Sequence, residues 1–173
     1  MQPDQAKFLL GFLLPRLKSE QATTKKILSA VPPDKGDYTP HPKSMSSLKL
    51  SRHIAATEMW FLDAVIEHVF KEEVSSPSEL HPGADIARWY DENFARRLPR
   101  LEALSGEHLA TPVDYLGLLN DPAVAYLSFA IRHSVHHRGQ LSAYLRPMGA
   151  KVPAIYVESA DEPFQPTAQP ASS

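Results

Sequence analysis

Apolar residues recur along this chain at steps of three and four. Phe8, Leu9, Phe12, Leu13, Leu17, Ile27 and Leu28, with Thr24, mark one side of a helix predicted over residues 4 to 30. Pro15 lies inside it and removes a backbone hydrogen bond, which predicts either a bend or a restart one turn in from the N-terminus. Val31-Pro32-Pro33 stops the pattern, and residues 32 to 45, with four prolines and Gly36, read as a loop. A second helix, capped by Ser46 or Ser47, is predicted to run to about Phe70, carrying Leu48, Leu50, Ile54, Met59, Phe61, Leu62, Val65, Ile66 and Val69. Residues 71 to 84 hold Pro, Gly and Ser and read as a loop. A third helix, 85 to 104, aligns Ile86, Trp89, Tyr90, Phe94, Leu98 and Leu101, with Pro99 expected to kink or divide it.

Residues 105 to 120 read as a crossing segment in which only Asp114 to Leu119 suits a short helical turn. The fourth helix is expected to open at Asp121-Pro122, a capping acceptor followed by proline, and to reach Pro147, with Gly149 as its C-terminal stop. Val152 to Tyr156 suits extended chain lying on the helices, and the proline- and serine-rich residues after Glu162 need no fixed shape. Four long helices without a credible strand ladder predict an all-α four-helix bundle: one domain over residues 1 to 163 and a flexible tail over 164 to 173.

Composition narrows the function. The formal charge is -2, and no run of Lys or Arg exceeds two residues, which argues against binding nucleic acid through its phosphates. Without cysteine the chain has no disulfide, no thiolate ligand and no cysteine nucleophile. No run approaches the roughly 18 apolar residues of a membrane span. The N-terminal segment lacks the basic region of a signal peptide, so the expectation is a soluble, cytoplasmic protein with no membrane partner.

The candidate chemistry is in the fourth helix, where His133, His136 and His137 fall within five positions. His133 and His137, four apart, share a helix face and can present two imidazoles to one divalent ion. With eight histidines in 173 residues, roughly one shuffled sequence in three would contain some such pair, so a third ligand from elsewhere is required. His53 supplies it. Leu50, Ile54, Thr57 and Phe61 lie on or beside its face of the second helix, so its ring should point inward. The predicted metal ligands are therefore His53, His133 and His137. They leave coordination positions open for water, a thiol or a substrate on zinc, nickel or ferrous iron. The alternative for each histidine is a buried ring satisfied by hydrogen bonds.

His136 is displaced from the ligand face and reads either as a catalytic base or donor beside the metal or as an exposed histidine. Arg138 reads as a surface or interface charge, Gln140 as a hydrogen-bonding group at a helix contact, and Gly139 as a close-approach position or a tolerated glycine. Glu58, Asp63 and Glu67 read as solvated carboxylates, and His41, His68, His81 and His108 as surface residues. Trp60 and Trp89 are core or interface candidates.

The segment His133-Ser-Val-His-His137-Arg-Gly-Gln, together with His53 in LSRHIAATEMWF, PHPKSMSSLKLSRHIA and LSAYLRPMGAKVPAIY, resembles the DinB/YfiT-like family of metal-dependent helical bundles, which is unrelated to the similarly named polymerase. The resemblance spans most of residues 5 to 163. It implies a four-helix bundle with a long crossover, a three-histidine centre at His53, His133 and His137, and a homodimer. It also implies transfer or isomerisation with a low-molecular-weight thiol as cosubstrate, or hydrolysis, on a small-molecule substrate. A non-catalytic metal-binding or stress-associated bundle is the alternative. The additional domain of some thiol-dependent isomerases is absent from this chain.

Overall fold

The computed structural model describes residues 1–71, 76 and 78–164. Part of the expected 71 to 84 loop and, Phe164 aside, the expected flexible tail lie outside the described residues. Helix α1 spans Pro3–Ser29, α2 Ser47–Glu67, α3 Ala84–Glu102, α4 Gly106–Ala110 and α5 Ala125–Leu145; strands β1 Pro112–Tyr115 and β2 Leu119–Pro122 form a hairpin before α5. The four long helices pack in a closed ring, α1 on α3, α3 on α2, α2 on α5 and α5 on α1, with α4 against α1. The bundle expectation holds for these four. The all-α expectation is corrected by the extra short helix and the two-stranded sheet.

Each long helix follows its apolar stripe. Leu10, Leu17, Ile27 and Leu28 of α1, Leu50, Ile54, Phe61, Leu62 and Val65 of α2, Ile86, Tyr90, Phe94 and Leu101 of α3, and Leu127, Ala130, Leu141 and Leu145 of α5 fill one buried core. Helix α1 is unbroken through Pro15, so no restart occurs there, and the Arg16 side chain donates to the Phe12 carbonyl at 2.7 Å. Helix α3 likewise continues past Pro99 to Glu102. Ser46 caps α2 by accepting from the Lys49 amide at 3.3 Å. That helix stops at Glu67, earlier than expected, because His68 takes a left-handed conformation (φ 64°) that turns Phe70 back into the core.

The larger departure precedes α5. Asp121 and Pro122, expected as its cap and first residue, instead pair with Val113 and Pro112 in the hairpin, and the helix begins at Ala125. The expected helical turn at 114 to 119 is the hairpin tip. Leu116 and Gly117 both have positive φ, and Leu118 N donates to Tyr115 O at 2.9 Å, closing a three-residue loop between the paired Tyr115 and Leu119. Tyr126 fastens the hairpin to α5 by donating to the Val113 carbonyl at 2.8 Å. Gly149, at φ 83°, does mark the chain reversal after α5.

Candidate metal centre

The adjacency of α2 and α5 brings His53 to His133 and His137. The Nε2 atom of His53 lies 3.1 Å from Nε2 of His133 and 3.3 Å from Nε2 of His137, and the ligand atoms of the three rings all lie within 4.8 Å of one another. Nitrogens about 2.0 to 2.1 Å from one ion stand roughly 2.9 Å apart at a right angle and 3.4 Å apart at a tetrahedral angle. Both His53 spacings fall in that interval. Convergent ring nitrogens repel through their lone pairs unless a proton or a cation sits between them, so this donor set fits a divalent ion.

The opposite ring nitrogens support that orientation. Nδ1 of His137 is 3.2 Å from Oε1 of Gln140, and Nδ1 of His53 is 3.2 Å from Oγ1 of Thr57. A proton on each Nδ1 would satisfy these acceptors and leave Nε2 free to bind metal. Nδ1 of His133 is buried with no hydrogen-bond partner among the described residues. Burial first, and then the neighbouring imidazoles, push the His133 pKa down to about 4; burial likewise holds His137 below the ordinary histidine range. These two rings are therefore neutral at pH 7, the form in which imidazole binds metal.

His136 stands outside the cluster. It is exposed, and its ring centroid is 4.7 Å from that of His137. With Phe129, Arg132 and His133 it lines an open pocket of about 310 Å³. Gln140 bonds within its own helix, to His137 and to Tyr144, not across a helix contact.

Glu58, expected to be solvated, is 1% exposed. It accepts hydrogen bonds from Tyr90 of α3 at 2.8 Å and from Ser134, the residue after His133. Burial pushes its pKa up to about 7, and the two hydroxyls only partly offset this. Arg138, expected at the surface, is also 1% exposed. It pairs with Glu20 of α1 at 2.6 Å and donates to Thr24 and to Tyr156 of the C-terminal segment. His68 and His108, expected at the surface, are half-buried with ring centroids 4.8 Å apart, and their Nε2 atoms lie 3.1 and 2.7 Å from the carbonyls of Pro112 and Val65. Asp63 is held by Arg97 at 2.6 Å.

The DinB family profile matches residues 6–168, nearly the whole chain. The chain belongs to the DinB family. A DinB-family relative, the uncharacterized protein YjoA of Bacillus subtilis strain 168, is 26% identical over 134 residues, covering 76% of this chain and 85% of that protein. The crystal structure of that DinB-like protein superposes with a TM-score of 0.68 at 24% identity, covering 83% of this chain and 96% of the other. A DinB-like protein from Bacillus cereus ATCC 10987 gives a TM-score of 0.71 at 22% identity, covering 83% and 95%. These likenesses establish the DinB-like fold, and the clustered histidines make its α2–α5 interface compatible with metal binding.

Proposed function

We propose that this DinB-family chain is a metal-dependent enzyme whose ligands are His53, His133 and His137. The supporting observation is the convergence of three Nε2 atoms from two helices, two of their spacings matching a shared ion. Zinc, nickel and ferrous iron all accept such a donor set, and a bound ion would supply Lewis acidity and exchangeable positions for activating a small thiol or water. The reaction class is thiol transfer or hydrolysis on a small-molecule substrate. Gln140 and Thr57 stand where they can accept a proton on Nδ1 of His137 and His53, which would leave each Nε2 free for the ion, and burial keeps His133 and His137 unprotonated.

His136 acts as a proton donor or acceptor to the substrate. It is exposed beside the pocket and is not tied up as a ligand. The cytoplasm, where low-molecular-weight thiols stay reduced, is the compartment this chemistry suits. A homodimer completes the proposal. Its support is the exposed apolar surface of Phe8 and Phe12 on α1 and of Leu116, Leu118 and Leu119 on the hairpin, whereas Phe94 is buried and Trp60 packs among Phe61, Phe70 and Tyr115.

The test is an activity screen of metal-loaded protein, pairing electrophiles with several low-molecular-weight thiols beside ester, amide and phosphoester substrates. Thiol-dependent turnover that disappears in folded His53→Ala supports transfer, and turnover without thiol supports hydrolysis. Tight metal binding with no turnover in either panel would leave a non-catalytic metal-binding bundle.

A further inference from the structure

Phe129, Arg132, His133 and His136 are spaced i, i+3, i+4 and i+7 along α5, so they form one stripe of that helix, adjoining the stripe that carries His137. The pocket they line is about 310 Å³. That is the lower end of the roughly 300 to 1,000 Å³ range of small-molecule sites, which limits an occupant to about the size of one substituted ring. Phe129, whose ring centroid lies 5.0 Å from that of Phe61, and His133 are among its lining residues. Among the described residues no carboxylate lines it.

Arg132 sets the charge. Arg97, Arg138 and Arg146 are each held by a carboxylate, of Asp63, Glu20 and Asp161 respectively. Arg132 is exposed and pairs with no carboxylate among the described residues; its guanidinium carbon lies 5.6 Å from the centre of the Phe129 ring. A guanidinium over an aromatic wall offers two parallel donors beside an apolar surface. A carboxylate has two oxygens to match that fork. A phosphate matches the same fork but has a third oxygen to satisfy, and the backbone amides here are spent inside α5, leaving only His136 among the described lining residues.

We propose that this pocket binds a small carboxylate with an apolar, ring-sized body, Arg132 selecting the charge and Phe129 the body. The inference rests on the proposed function for its place in a reaction, because the occupant would lie against the ring of one proposed metal ligand. Its binding chemistry is independent of any ion. Arg132 is thus a specificity-determining residue that acts on the non-reacting end of the substrate.

The test measures binding of phenylacetate, its neutral isostere phenylacetamide, and phenyl phosphate to the full chain, both chelator-stripped and zinc-loaded, by calorimetry or ligand-observed NMR. In the stripped protein phenylacetate should bind at least about tenfold more tightly than the amide, the scale of one charge-assisted bidentate contact. Arg132→Gln should abolish that preference, Arg132→Lys should retain part of it, and Phe129→Ala should weaken both ligands. Circular dichroism checks that each variant is folded. Equal binding of acid and amide, a preference that survives Arg132→Gln, or tighter binding of phenyl phosphate would overturn the proposal. A preference confined to zinc-loaded protein and indifferent to Arg132 would also overturn it while supporting the histidine centre. An Arg132-dependent preference in a protein that binds no zinc would uphold the pocket and remove the metal reading.

Discussion

Ser134 of α5 donates a hydrogen bond to Glu58 of α2, joining the two helices one residue away from His133. The carboxyl group that accepts it is wholly buried and carries a pKa of about 7, while the His133 ring beside that hydroxyl is pushed down to about 4. The α2–α5 interface thus holds an acid whose proton is retained on folding and an imidazole whose proton is expelled.

These shifts predict opposing pH dependences of stability in the metal-free protein. Glu58 is raised in the folded state, so its contribution is fully present below about pH 4.5 and is lost as pH rises through about 7. The loss amounts to about 3 kcal/mol. His133 is depressed, so its contribution is present above about pH 6.5 and is lost as pH falls through about 4. His137, depressed by the same burial, acts in the same direction as His133. Chemical denaturation should therefore show Glu58→Gln gaining more stability than wild type as pH rises from 4.5 to 6.5. A variant profile parallel to wild type would refute the assignment.

The Arg138–Glu20 pair ties α5 to α1 and, through Tyr156, holds the C-terminal segment. Arg138→Ala leaves the partly buried Glu20 carboxylate, 19% exposed, without its cation and should cost about 3 kcal/mol in urea denaturation. Tyr156→Phe, which loses only a hydroxyl, should cost about 1 kcal/mol.

Gly139 lies in the interior of α5, and a Cβ built there meets nothing within 4 Å. Among the described residues no helix approaches it closely. Gly139→Ala should therefore stabilise the protein by roughly 0.5 to 1 kcal/mol through helix propensity, visible as a raised Tm. A lowered Tm would mean that the position is occupied by something outside this chain.

Gln140 orients the His137 ring through its Nδ1 without approaching the convergent Nε2 atoms. Gln140→Ala should lower zinc affinity by about 10- to 100-fold while leaving the stoichiometry unchanged. Competition with a chromophoric chelator measures both.

The long helices and the inward aim of the three histidines are legible in the sequence because each depends on local periodicity, whereas their convergence depends on the packing of α2 on α5. His53 lies among inward-facing positions of α2, and the four-residue step from His133 to His137 is a property of the helix itself. The burial of Arg138 and Glu58 is not legible in the sequence because a charged residue's environment is set by its partners. Glu20 is 118 positions from Arg138, and Tyr90 and Ser134 are 32 and 76 from Glu58. A signal for Glu58 was present, since it falls between the core residues Ile54 and Leu62 of α2. The hairpin was missed because its tip is Leu116-Gly117 in place of an Asn-Gly or Asp-Gly pair, and Asp121-Pro122 suits a helix start as well as a strand end.

Zinc titration of chelator-stripped protein purified without an affinity tag, with bound metal counted by elemental analysis, tests the central claim most directly. Wild type should bind one ion per chain, and His53→Ala, His133→Ala and His137→Ala should each lose more than the roughly 100-fold expected from losing a supporting hydrogen bond. His136→Ala should retain wild-type affinity. Wild type binding no more ion than the three variants, or His136→Ala losing as much as they do, would contradict the centre.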